Sequence, residues 1–207
     1  MTIHKVALAI SIFTASILRT LAGEIATIPE IGAHHPILIL EKNVNPQNLM
    51  VIYTKEDANG RFLTDTVNRN RPVVDFYWLM DGKNYKPVNS MIKNEIGKRF
   101  DWQLSPTNPA THFVVNLNDL KEVGSDIKDP KIDVYASRGG GSRGVEAQMS
   151  LGPSNGNMRI KLTSIHTEGR AFPPAVYAVI LKGEEIVDGK PTGKKVARRY
   201  DGKNRPN

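Results

Sequence analysis

The sequence predicts an all-β domain, an antiparallel barrel or sandwich of about 8–10 strands with one short α-helix. Three observations carry this expectation. Short runs rich in β-branched and aromatic residues follow one another, each closed by turn chemistry. Several runs alternate apolar and polar residues, the pattern of strands with one wet face and hence of antiparallel pairing. Only one stretch carries helical spacing.

Taken in order, residues 1–22 read as an export signal. Lys5 precedes an apolar run over 6–18, and Thr20 and Ala22 place small residues where cleavage occurs. The run falls short of the about 20 residues that a bilayer-spanning helix needs. A soluble mature protein, periplasmic or secreted, is therefore expected. Residues 23–35 form an N-terminal arm, and a single β domain follows over 36–200, with a basic tail at 201–207. Strands are expected at 36–42, 49–55 and 73–80, where VVDFYWLM has the highest β-branched and aromatic content. Asn59-Gly60 supplies a hairpin turn after the second of these. The helix is expected over 87–99, from Val88, Met91, Ile92 and Ile96, with Asn89 or Ser90 at its start and Gly97 limiting its length. Further strands are expected at 111–117, 131–137, 144–151, 158–165, 175–182 and 194–200. Met158, Ile160 and Leu162 share one face of their strand and Arg159, Lys161 and Thr163 the other.

Cysteine is absent, which excludes disulfides, thiolate metal sites, a cysteine nucleophile and a lipidated cysteine. The formal charge of +7 is unevenly placed. Removing Lys5 and Arg19 with the signal leaves +5, and the last 18 residues alone hold +6, so the body is close to −1. A basic end of this kind suits contact with an anionic surface through residues such as Arg198 and Arg199, or is simply a solvated last strand. Nucleic acid is not the expected partner, because only Tyr200 is interleaved for base stacking.

The segments Glu41-Lys42-Asn43-Val44-Asn45, Val51-Ile52-Tyr53 and Arg71-Pro72-Val73-Val74-Asp75-Phe76-Tyr77-Trp78 occur in that order. Over about residues 42–99 the chain resembles an uncharacterised bacterial envelope family, domain of unknown function 4833. The resemblance implies export and β architecture and carries no activity.

Asp75 shares a strand face with Val73, Tyr77 and Leu79, while Val74, Phe76, Trp78 and Met80 form the other. A strand apolar on both faces is covered on both, so this carboxylate needs partners. Asp133-Val134-Tyr135 repeats the pattern of Asp75-Phe76-Tyr77. Asp75, Tyr77, Asp133 and Tyr135 are the candidate ligand-binding residues, and the two aspartates are also a candidate acid/base pair, each otherwise held by an arginine or a backbone amide. His34 and His35 are adjacent, so on a strand they point to opposite faces and do not grip one metal. His112 and His166 are candidates to meet across the sheet beside Asp75. Arg138 and Arg143 flank Gly139-Gly140-Gly141-Ser142 and are candidate anion contacts. Gly140-Gly141-Ser142-Arg143-Gly144 matches a nucleophile elbow in spelling only, since that turn needs a following helix and residues 145–151 alternate as a strand. Trp78 and Phe76 are expected in the core.

No metal or cofactor is expected, and no catalytic constellation is evident. The leading expectation is an exported, non-enzymatic β-domain that binds a ligand or an envelope partner. The alternatives are an envelope hydrolase using Asp75, Asp133 and a histidine, or an assembly protein acting through its basic C-terminal end.

Overall fold

A computed structural model describes residues 28, 30–42, 48–80, 84–118, 120, 130–139, 142–152, 158–170 and 175–202. Residues 1–22, the expected export signal, the glycine loop at 140–141 and the last five residues lie outside them. Among the described residues, eleven strands form one strongly curled half-barrel sheet: β1 (His34–Lys42), β2 (Asn48–Lys55), β3 (Val74–Met80), β4 (Asn84–Pro87), β5 (Phe100–Leu104), β6 (His112–Leu117), β7 (Lys131–Gly139), β8 (Ser142–Ser150), β9 (Arg159–Arg170), β10 (Ala175–Val187) and β11 (Lys190–Asp201). The helix α1 (Ser90–Arg99) connects β4 to β5. The all-β expectation holds, with more strands than expected, because β4 spans only four residues and β5 follows α1 with no turn residue between them.

The sheet divides at β9. Along one side, the first part of β9 pairs with β8 (Ser150 opposite Arg159, Gln148 opposite Lys161). Its second part pairs with β1 over Ile39–Lys42 and Ser164–Thr167, and this pair is parallel. β10 runs along the other side of β9 for its whole length. Two wings therefore spring from one strand, β1–β4 and β5–β8, with the β10–β11 hairpin behind them. At the bulge where Lys182 and Gly183 of β10 lie opposite Ser164 and Leu162, a Cβ on Gly183 would collide with the Lys161 carbonyl. Only glycine lets the two backbones approach so closely there. The hairpin turn itself is Asp188-Gly189, both residues with positive φ (50° and 75°), as the Asp-Gly pair predicts.

The inner faces of both wings bury the core. Ile52 and Phe76 of the first wing meet Trp102, Phe113, Ile132 and Met149 of the second. The Phe76 and Trp102 rings lie 6.1 Å apart, and Phe100 stacks on Trp102 at 5.7 Å. Trp78 is only partly buried against this core, whereas Phe76 is fully within it. The far ends of the wings are tied by the segment at 56–73. There Phe62 N–H donates to the Ala110 carbonyl, Leu104 N–H donates to that of Asn70 (both 2.8 Å), and Arg71 pairs with Asp101 at 3.1 Å. Asp57-Ala58-Asn59-Gly60 does reverse the chain, but into a one-residue bridge (Glu56 opposite Phe62) rather than directly into the next strand.

α1 starts at Asn89, whose side chain accepts from Ile92 N–H at 3.0 Å, as the N-cap expectation required. Lys98 and Arg99 in its last turn complement the helix dipole. Ile96 is buried against the core and Ile92 partly so, which seals the end of the half-barrel and brings Lys93 round to the outer face of β3.

A second, smaller core lies outside the first wing. Val51, Tyr53 and Leu79 are buried there, with Tyr77, Tyr85, Leu49, Ile28 and Ile31 packed on them. The strand that is apolar on both faces is thus covered on both, and part of the cover is the arm.

Candidate functional site

Each wing carries, on its outer face, a histidine, an aspartate and a tyrosine two positions after the aspartate. In the first wing, β2 lies between β1 and β3 and sets the geometry, with His34 opposite Lys55 and Tyr53 opposite Asp75. His34 Nε2 lies 2.9 Å from Asp75 Oδ2, Lys55 Nζ 3.4 Å from the same oxygen, and Lys93 Nζ 3.2 Å from Oδ1. Burial raises the Asp75 pKa, but the hydrogen bonds from His34 and Lys93 and the lysine charges outweigh it and hold the carboxyl below its ordinary range. The rings of His34, Tyr53 and Tyr77 meet edge to face at 5.4–6.3 Å. Burial, together with neighbouring Tyr85, pushes the Tyr53 hydroxyl well up. Asp75 is therefore a neutralised, enclosed carboxylate that ties β1, β2, β3 and α1 together.

In the second wing, His112 of β6 lies opposite Tyr135 of β7, and the two rings stack at 4.4 Å with 9° between planes. His112 Nε2 is 3.0 Å from Asp133 Oδ1. Arg159 of β9 reaches Asp133 Oδ2 at 3.5 Å and donates to the Tyr135 hydroxyl at 3.3 Å. Beyond these, Gln148 lies between Asp133 and Lys161 in register. Gln148 donates to Glu146 at 2.6 Å, and Lys161 pairs with Glu146 at 3.4 Å. The result is a polar platform across four strands. Asp133 and Arg159 keep 35% and 41% of their side chains exposed, against 24% for Asp75. Chemically, a carboxylate that orients an imidazole beside a guanidinium and a phenol can exchange hydrogen bonds with a ligand or, given a bound substrate, move a proton.

The remaining expected residues fall elsewhere. His112 and His166 do not meet, because β7 and β8 separate β6 from β9. His166 pairs instead with Glu41 at 3.3 Å, which Lys182 also holds at 2.6 Å. Burial raises the Glu41 pKa, yet the Lys182 and Ser164 hydrogen bonds leave it lowered. Asp75 and Asp133 do not share a site either, since four strands lie between β3 and β7 in the sheet order. Their partners are histidines and lysines as well as an arginine. Arg138 and Arg143 are register partners on β7 and β8, but their side chains lie outside the described residues. Ser142 opens β8, with no helix after it. Among the described residues no three histidine, aspartate or glutamate side chains gather to hold a metal ion, and no helix is long and apolar enough to cross a membrane.

Three basic residues of the C-terminal end, Lys194, Lys195 and Arg199, are paired with carboxylates on β9, β10 and β11, while residues 203–207 lie outside the described residues. Lys194 pairs with Glu185 at 3.1 Å and Lys195 with Glu184 at 3.6 Å. Arg199 holds both oxygens of Glu168, at 2.6 and 2.8 Å, and also Asp201 at 2.8 Å, which raises its pKa. Arg198 is exposed on β11.

Sequence reasoning missed Arg159 as a site residue, and its only signal was its place on the polar face of an alternating strand. It also missed an open pocket of about 500 Å³ between the arm and the turn after β2, lined by Glu30, His35, Glu56 and Asp57. Compared with known proteins, the chain matches no protein-family model, no curated protein and no solved structure.

Proposed function

We propose that the protein is an exported, non-enzymatic β-domain that binds a ligand or envelope partner on the open outer face of β6–β9, around Asp133 and Tyr135. One observation carries the reading: of two similar aspartate clusters, that of Asp133 lies with Arg159 and His112 on a sheet face that no described residue is seen to cover, while that of Asp75 is enclosed by the arm, two lysines and tyrosines. A half-exposed, hydrogen-bonded platform with a stacked aromatic pair offers orienting polar groups without a deep cavity. The short apolar run at 6–18, and the resemblance to domain of unknown function 4833, support an envelope setting. The pairing of Lys194, Lys195 and Arg199 argues against the C-terminal end as the contacting surface.

A second reading, an envelope hydrolase, is favoured by the 3.0 Å contact between His112 and Asp133. Titration calorimetry with soluble peptidoglycan fragments, followed by mass spectrometry of those fragments, separates the two. Binding that is lost in Tyr135→Ala and Arg159→Ala, with the fragments intact, supports the binding domain. Cleavage that disappears in Asp133→Asn supports the hydrolase. No binding and no cleavage removes this envelope polymer as the ligand and, with it, the support for either reading.

A further inference from the structure

The platform on the second wing has a charge pattern that selects among ligands. In register, Asp133 of β7, Gln148 of β8, Lys161 of β9, Glu184 of β10 and Lys195 of β11 stand side by side across five strands. Cross-strand partners share a face of the sheet, so the charges of this outward row alternate in sign. Lys161 also pairs with Glu146 at 3.4 Å, and Lys195 pairs with Glu184 at 3.6 Å. Arg159 and His112 hold Asp133 at 3.5 and 3.0 Å. An anion that approaches Arg159 or Lys161 therefore meets the carboxylates of Asp133 and Glu146 beside them. An ammonium that approaches those carboxylates meets the two cations. A charged ligand has to pull an ion pair apart, whereas a neutral one does not.

What the ion pairs leave over is a mixture of donors and acceptors. Both contacts of Arg159 among the described residues, to Asp133 and to the Tyr135 hydroxyl, are made by Nη2. A guanidinium has more N–H groups than these contacts use, and Arg159 Nε is buried without a partner among the described residues. The Tyr135 hydroxyl accepts from Arg159 and keeps its own proton to donate. Gln148 spends its amide nitrogen on Glu146 and leaves its carbonyl oxygen to accept. A hydroxyl group both donates and accepts, so a ligand with several hydroxyls answers this set and leaves the ion pairs intact. Tyr135 adds a partly exposed ring, stacked on His112 at 4.4 Å, whose π face suits the C–H face of a sugar. We propose that the platform takes the uncharged sugar chain of an envelope polymer, bound by Tyr135, Arg159 and Gln148, an inference that rests on the reading of this face as the binding site. The charged peptide of such a polymer is turned away by the same ion pairs.

The test separates sugar from peptide. Isotope-labelled protein is titrated with chitotetraose, with cellotetraose and with a free peptidoglycan stem peptide, each at low and high salt, and amide shifts are followed by NMR. At least one tetrasaccharide is expected to shift the amides of Asp133, Tyr135, Gln148 and Arg159. Its affinity is expected to be the same at both salts, because screening acts on charged contacts. The stem peptide, which carries free carboxylates, is expected to leave these amides unmoved. Tyr135→Phe, which keeps the ring and loses the hydroxyl, and Arg159→Gln are each expected to weaken sugar binding by roughly tenfold. Val67→Thr, on the far segment at 56–73, is expected to leave it unchanged. Tyr135→Phe carries the test if Arg159→Gln does not fold. If neither tetrasaccharide moves these amides, the inference is overturned, and whole peptidoglycan fragments that still move them leave the platform reading standing. A stem peptide that binds there as tightly as the sugar, or a sugar affinity that falls steeply with salt, overturns the inference in the same way. Sugar binding that neither substitution weakens lies elsewhere on the molecule and overturns both.

Discussion

The two aspartate clusters begin from nearly the same sequence, Asp-x-Tyr on a strand, and end in different physical situations. Asp75 has a histidine and two lysines as partners, from three elements, and its tyrosine neighbours lie under the arm. Asp133 has one histidine and a long arginine contact, on a face that nothing in the described fold covers so closely. The difference lies in what surrounds the strand. The first wing's outer face carries the arm and receives Lys93 from α1, whereas the second wing's outer face continues into the polar ladder of β8 and β9. A local motif thus sets the chemistry available, and its neighbours decide whether that chemistry is spent on holding the fold or left open to a ligand.

The largest expected effect tests this enclosure. Tyr53 is fully buried, and Tyr53→Ala should cost about 3–5 kcal/mol. Tyr135→Ala, on the open platform, should cost about 1 kcal/mol. Urea titration of both variants measures the contrast, and equal losses would mean that the two faces are equally structural. Next, Asp75→Asn removes the negative charge and one of the two acceptor oxygens that hold His34, Lys55 and Lys93, and should cost about 2–3 kcal/mol. Asp133→Asn should cost less than about 1 kcal/mol, as half-exposed pairs do.

The gap between wild type and Asp75→Asn should also depend on pH. The folded pKa of Asp75 lies below its ordinary value of 3.8, so its contribution is fully present above that value. It is lost as the pH falls through the lower folded pKa. Denaturation curves collected from neutral pH downward should therefore converge only on the acid side of 3.8. Convergence at higher pH would mean that the lysines and His34 do not hold the carboxylate as the distances indicate. The smallest effect sharpens the role of α1. Asn89→Ala removes the N-cap acceptor and should cost about 1 kcal/mol. Because that helix carries Lys93 to Asp75, the double variant with Asp75→Asn should lose less than the sum of the two, as a double-mutant cycle would record.

Much of this architecture is legible in the sequence. The alternation over residues 158–165 and 144–151 marks strands with one inner face, and Ile160, Leu162, Ala147 and Met149 are indeed buried. Asn89 caps the helix and Asp188-Gly189 turns the last hairpin, because both are local requirements of backbone geometry. Phe100–Leu104 escaped notice because β5 leaves α1 with no turn residue between them; Phe100 simply goes extended while its N–H returns to Ile96. The parallel pairing of β1 with β9 also escaped, since parallel neighbours ordinarily announce themselves by a direct helical crossover, whereas here seven strands and α1 intervene in the chain. Asp75 and Asp133 stood out as charges in apolar strands, but their partners did not. His34 reaches Asp75 across an intervening strand, and Lys93 reaches it from a helix, so neither relation leaves a trace in spacing.

The fork at β9 has a consequence for how the molecule comes into being. Thr167 and Glu41, joined where β9 meets β1, are 126 positions apart in the chain. During ribosomal synthesis both wings emerge before the strand on which they depend. A topology with such distant partners nucleates slowly, and here the keystone arrives in the last quarter of the chain. A polypeptide built this way stays threadable while it is being made, which suits passage through a translocation pore ahead of folding, as the proposed export requires.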